Sequence, residues 1–110
     1  MNDRELLELA AKAAGVKLAH FASNGDPMEF IPGGGPESCF VRAWNPLTDD
    51  GDALRLAVKL AIEISPCPEH DSVMCEPKGS PDSIITTETL DDYGTRRAIV
   101  RAAAEIGKSL

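Results

Sequence analysis

Three helix-forming segments, separated by short runs of strand-forming residues, constrain the fold of this chain more than any other feature. Residues 3–14 are almost all strong helix formers and are followed by Gly15, a typical helix stop. Residues 93–107, rich in Ala, Arg and Ile, follow the capping pair Asp91-Asp92. This order predicts an α+β fold in which three helices pack with a mainly antiparallel sheet, in a sandwich-like arrangement.

The second helix is predicted to begin in the segment 47–52, with Thr48 or Asp49 as its cap. The residues that follow are apolar nearly all round the helix, so we expect it to be the most buried of the three. Leu54 and Val58 are therefore predicted core positions, and replacing either should destabilise the fold severely.

Short runs of strand-forming residues, bounded by Gly, Pro, Asn and Asp, occupy the rest of the chain. Trp44 closes the third run and is predicted to anchor it against the second helix, with a surface binding hot spot as the alternative. The predicted strands are residues 16–18, 28–31, 39–44, 62–65, 72–76 and 83–87.

The size and composition are those of one globular domain covering residues 1–110, with 43% hydrophobic and 26% charged residues. Three cysteines are an odd count, which argues against a disulfide framework. The charged N-terminal residues do not resemble a signal peptide, and no apolar run approaches the roughly 18 residues of a membrane span. These features predict a reduced cytoplasmic protein that does not enter a membrane.

The charge distribution is uneven. The net charge is −7, and residues 44–92 carry eleven acids and three bases, whereas residues 93–110 carry four bases and one acid. The acidic balance makes nucleic acid an unlikely partner overall. Arg96, Arg97 and Arg101 are a candidate protein-binding site. Their alternatives are pairing with the acidic middle of the chain, a contact between two copies in a homodimer, or a local nucleic-acid contact.

Cysteine and histidine side chains gather in one predicted hairpin, at Cys67, His70 and Cys75. Cysteine and histidine are ligands that zinc prefers, so these three residues are a candidate metal site, with Cys39 or His20 as the fourth ligand. No Cys-x2-Cys pair accompanies them. The alternative is a polar hairpin that exposes Cys67 and His70 while Cys75 packs in the core.

No catalytic residue is predicted. The paired carboxylates stand at helix starts, where capping explains them, and neither histidine lies in a catalytic motif. The glycine run 33–35 lacks the Gly-Lys-Ser/Thr ending of a phosphate-binding loop, so a hairpin loop is the better interpretation. The sequence leans away from an enzyme and indicates no cofactor.

Three blocks of the sequence, in the same order, resemble a family of small bacteriophage and prophage proteins described by a phage α/β/α sandwich domain. They are residues 3–15 (DRELLELAAKAAG), 44–60 (WNPLTDDGDALRLAVKL) and 95–107 (TRRAIVRAAAEIG), about half of the chain. The resemblance implies a phage accessory protein made in an infected bacterium, and it implies no catalytic residues. It does not extend to the cysteine and histidine residues.

The resulting hypothesis is a non-enzymatic phage accessory protein that binds a host or phage protein in the bacterial cytoplasm and modulates a host function. One version is an anti-defence protein whose acidic surface occupies a nucleic-acid channel. The alternative hypothesis is a small zinc-binding module that uses Cys67, His70 and Cys75.

Overall fold

The structure, a computed structural model, describes residues 1–31, 41–79 and 83–110 and has an α+β architecture, as predicted. The predicted single sheet is two three-stranded antiparallel sheets, here called the first sheet (β1-β2-β3) and the second sheet (β4-β5-β6). In chain order the elements are α1 Asp3–Ala14, β1 Leu18–Phe21, β2 Pro27–Phe30, β3 Val41–Ala43, α2 Asp50–Lys59, β4 Ile62–Cys67, a 3-10 turn Pro68–His70, β5 Ser72–Pro77, β6 Thr86–Thr89 and α3 Asp92–Lys108.

Local capping explains the first helix. The Asn2 side chain accepts a hydrogen bond from the backbone N–H of Glu5 at 2.8 Å, and Gly15 ends the helix in the left-handed conformation, at φ 71°. Both interactions satisfy backbone groups that a helix end leaves unpaired. The predicted bounds of α1 are confirmed.

The central element of the core is α3. Its buried residues include Ala98, Val100 and Ala102, and it contacts α1, α2 and all three strands of the second sheet. At Gly107 it approaches α1 so closely that a Cβ there would stand 2.1 Å from the carbonyl oxygen of Leu9. Small residues thus allow close packing of the two helices.

The prediction that α2 is the most buried helix is wrong. Leu54 is 60% exposed and Val58 is 72% exposed, while the side facing the core is formed by Ala53, Leu56 and Ala57. Among the described elements, α2 makes its main contacts with α3 and β4, and the side that carries Leu54 and Val58 meets solvent. Asp49 is its cap and accepts a hydrogen bond from the Asp52 N–H at 2.8 Å.

The second sheet turns one face to α3. Val73, Cys75 and Thr86 lie on this inner face and are buried, and the Thr86 hydroxyl donates to the Ala98 carbonyl at 2.7 Å. The predicted strand 83–87 begins only at Thr86, where the pairing of β6 with β5 starts opposite Cys75.

The first sheet is smaller and packs less extensively on the helices. Its first strand begins at Leu18 and not at residue 16, because the N–H of Val16 still bonds to the α1 carbonyl of Ala11 at 2.9 Å. Trp44, just after β3, is buried as predicted. The predicted strand residues 39 and 40, and the glycine loop 33–35, lie outside the described residues.

Among the described residues, no helix is long and apolar enough to cross a membrane.

Candidate functional site

An apolar groove lies between α2, the start of α3 and the edge strand β4. Its volume is about 250 Å³. The buried residues Ala53 and Ile99 form its floor, and Leu54 and Ile64, at 60% and 37% exposure, form its walls. We call this feature the α2–β4 groove.

The exposed apolar side of α2 continues beyond the groove. Val58 stands four residues after Leu54 and therefore lies on the same side of the helix, where it is even more exposed. Two neighbouring aliphatic side chains in water, next to a groove with apolar walls, form the kind of surface that a binding partner covers.

Charged side chains define the rim of the groove at the N-terminal ends of α2 and α3. Arg96 donates from Nη1 to the Asp50 carboxylate at 2.7 Å and from Nε to the Leu47 carbonyl at 2.9 Å. Asp92 also lines the rim. Because Asp50 balances Arg96, the groove keeps an acidic rim.

The two other arginines of the predicted binding site lie elsewhere. Arg97 and Arg101 converge on Glu88 of β6, at 3.9 and 2.5 Å, and Arg97 also donates to Asp3 at 3.0 Å. The hydrogen bond to Asp3 is the main reason that the pKa of Arg97 is raised. The interpretation that these arginines pair with the acidic middle of the chain is therefore confirmed for Asp50 and Glu88.

Self-association stays a prediction. The small residues expected to allow a close contact between copies, Ala98, Ala102 and Gly107, are buried inside this chain, mainly against its own helices and second sheet.

The cysteine and histidine residues of the candidate metal site are spread out. Cys67 pairs with Ser72 and Cys75 pairs with Ile64, so the two cysteines lie on opposite faces of the second sheet. His70 is exposed in the hairpin turn, and His20 lies in the first sheet. Within residues 1–31, 41–79 and 83–110 no group of three potential metal ligands converges. Cys39 lies outside this part of the chain, so zinc binding stays a prediction.

Cys75 is fully enclosed by the core. Burial raises the pKa of its thiol to about 11, which keeps it protonated at neutral pH. A buried, protonated thiol is a poor nucleophile and a poor metal ligand.

Sequence reasoning missed the groove, although one signal for it was present. The helix after Asp49 carries more apolar residues than one side of a short helix can bury. Exposure of some of them, such as Leu54 and Val58, could therefore have been inferred.

Comparison of the chain with protein-family models, with curated proteins and with solved structures finds no match in any of the three.

Proposed function

We propose that the protein is a non-enzymatic binding module that holds another protein in the α2–β4 groove. The observation that carries the proposal is the exposure of Leu54 and Val58 on one side of α2, beside the exposed Ile64 of β4. Full burial of a side chain of this size contributes about 1.5–3 kcal/mol, so covering this surface favours association.

The groove indicates the chemistry of its partner. Its walls accept aliphatic or aromatic side chains, and its rim carries Asp92 together with the ion pair of Asp50 and Arg96. The whole chain has a net charge of −7, which attracts a basic protein over longer distances. A segment with an apolar anchor flanked by lysine or arginine fits both properties.

The biological setting of the proposal comes from the sequence. The resemblance of three blocks to phage proteins supports a phage accessory protein that acts in the cytoplasm of an infected bacterium. Modulation of a host function, such as inhibition of a defence enzyme whose nucleic-acid channel is basic, would use the apolar groove together with the acidic surface.

Affinity capture with matched variants tests the proposal. The Leu54→Lys variant places a charge in the groove, whereas Met74→Lys makes the same type of change on the outer face of the second sheet. We expect a host protein that is retained by the parent chain and by Met74→Lys, and that is lost with Leu54→Lys.

Both substituted positions are exposed, so neither variant should lose its fold, and thermal unfolding would confirm this. A partner retained equally by all three chains would contradict the assignment of the groove. Recovery of non-specific proteins alone would contradict the binding function.

A further inference from the structure

On another side of α2, between it and the first sheet, basic side chains gather around a cavity. The cavity has a volume of about 210 Å³. Its charged lining consists of three bases and one acid, which are Arg42, Arg55, Lys59 and Glu29. A second cavity, of about 360 Å³, shares Arg42 and Arg55 with it. We call the first cavity the arginine cleft. We infer that it is a binding site for a small molecule that carries an oxyanion, a carboxylate or a phosphate, on a flat apolar body.

The carboxylate of Glu29 fixes one side of the cleft. Glu29 is 8% exposed, and its Oε1 accepts a hydrogen bond from Arg42 Nε at 2.6 Å across the paired strands β2 and β3. This contact orients the guanidinium group. In the described part of the chain nothing else accepts from Arg42, so both of its Nη groups remain for a ligand.

A second guanidinium group is held in a similar way from α2. Arg55 donates from Nη2 to Asp52 at 2.7 Å, and Asp49 lies 3.9 Å away. An acid orients each of Arg42 and Arg55, and part of the N–H donors of each guanidinium group stays unused. Guanidinium groups with free N–H donors bind carboxylate and phosphate oxygens well.

Lys59 supplies the third basic group of the cleft. Among the described residues it forms no ion pair. Its ammonium group lies near the C-terminal end of α1, 4.0 Å from the position that a Cβ atom would take on Gly15. The partial negative charge of that helix end offsets it only in part. The cleft therefore offers an oxyanion the ammonium group of Lys59 and the parts of two guanidinium groups that their own acids leave unused.

The remaining walls are apolar. Trp44 is buried beneath the cleft and Leu56 lies beside it. Most small-molecule sites combine such walls with a few fixed polar groups, which favours a ligand with a ring over a bare inorganic ion.

Trp44 also makes the inference testable, because it is the only tryptophan in the chain. Its indole N–H signal in NMR spectra, and its fluorescence, report directly on the cleft. The probes are benzoate, phenyl phosphate and inorganic phosphate at constant ionic strength, with neutral benzamide as the uncharged match to benzoate. We expect a saturable shift of the Trp44 signal with benzoate or phenyl phosphate, and a clearly weaker effect of benzamide.

Two lysine variants separate a site from a general charge effect. Lys59→Met should weaken binding by about five- to tenfold, since it removes the one base of the cleft that forms no ion pair among the described residues. Lys78→Met removes the same charge beside Glu63 and Glu76, away from the cleft, and should leave affinity unchanged.

Three results would overturn the inference. They are a Trp44 signal that responds to no probe up to about 10 mM, equal affinities of the two lysine variants, and benzamide binding as tightly as benzoate. If phenyl phosphate bound no tighter than inorganic phosphate, the inference that the apolar walls contact a ring of the ligand would be wrong. None of these results depends on the α2–β4 groove.

Discussion

The two sheets of this protein have the same number of strands and the same antiparallel pairing, but they present opposite kinds of residue to the interior. The second sheet buries Val73 and Cys75 against α3. The first sheet turns the buried Glu29 toward the arginine cleft, with the exposed Arg42 beside it on the same face, and leaves Met28 and Phe30 on its other face, where Phe30 is exposed. The second sheet is thus built into the apolar core, and the first sheet holds charges at the edge of a cavity.

This difference teaches that apolar packing and oriented charges are concentrated at different sheets. Where α3 covers the second sheet, small and aliphatic residues pack at high density, and the α2–β4 groove opens only at its edge strand. Where the helices only border a sheet, as at the first sheet, the paired side chains of Glu29 and Arg42 lie beside a cavity.

The largest expected effect concerns the contact between α3 and α1. Gly107→Ala should lower the free energy of unfolding by about 3 kcal/mol, since the added Cβ would stand 2.1 Å from the Leu9 carbonyl oxygen and force the helices apart. Urea denaturation measures the change.

The matched control lies in the turn of the first sheet. Gly25→Ala meets nothing within 4 Å but must adopt a φ of +91°, which costs about 1 kcal/mol. A Gly107→Ala protein no less stable than Gly25→Ala would show that α3 and α1 are not packed as tightly as the structure places them.

The next effect is a pH dependence that arises in the second sheet. Burial raises the pKa of Cys75 from 9.0 to about 11 in the folded protein. Between these values the unfolded chain loses the thiol proton and the folded chain keeps it, so stability falls as pH rises, by about 2–3 kcal/mol in total.

Denaturation of the parent chain and of Cys75→Ala at several pH values from 9 to 11 isolates this contribution. Other groups titrate in the same range, so the measured quantity is the difference between the two slopes. Parallel slopes would show that Cys75 does not titrate with a raised pKa.

A smaller and local effect is expected in the first sheet. Glu29→Gln removes the carboxylate that holds Arg42, and should cost about 1 kcal/mol, because Arg42 is largely exposed and regains water. Amide hydrogen exchange should accelerate in β2 and β3 and stay unchanged in β5.

Glu63→Gln, on the outer face of the second sheet, is the control and should change neither sheet. Equal acceleration in both sheets after Glu29→Gln would mean that they unfold as one unit, and would remove the distinction drawn between them.

The smallest effect is expected on the outer side of α2. Leu54→Ala should change the free energy of unfolding by less than about 0.5 kcal/mol, because the side chain already meets solvent. Leu56→Ala, two residues further along the helix and buried, should cost about 3 kcal/mol. Similar losses for the two variants would restore the original prediction that Leu54 lies in the core.

The helix ends were the most predictable part of the fold. Asn2, Asp49 and Asp91 each cap a helix through their own side chain, and these are interactions within three residues. Because such signals are local, the sequence shows them directly. The direction in which α2 faces was not predictable in the same way, since its nearly continuous apolar pattern does not say which side meets α3.

The sites depended on strand pairing, which a single sequence does not reveal. Glu29 and Arg42 are thirteen residues apart and become neighbours only through the register of β2 and β3. Cys67 and Cys75 are close in sequence, yet their register places them on opposite faces. A shift of register by one residue reverses the face of every side chain in a strand, so spacing alone predicted neither arrangement.

The position of α3 in chain order has a consequence for biosynthesis. It contacts α1, α2 and the whole second sheet, yet it is the last of these elements to leave the ribosome. Until it emerges, Leu6 and Leu7 of α1 and Val73 of β5 have no complete cover, and the nascent chain exposes apolar surface to the cell. Translation that pauses before residue 92 would therefore leave a chain that depends on chaperones, and release of α3 would close the core in one step.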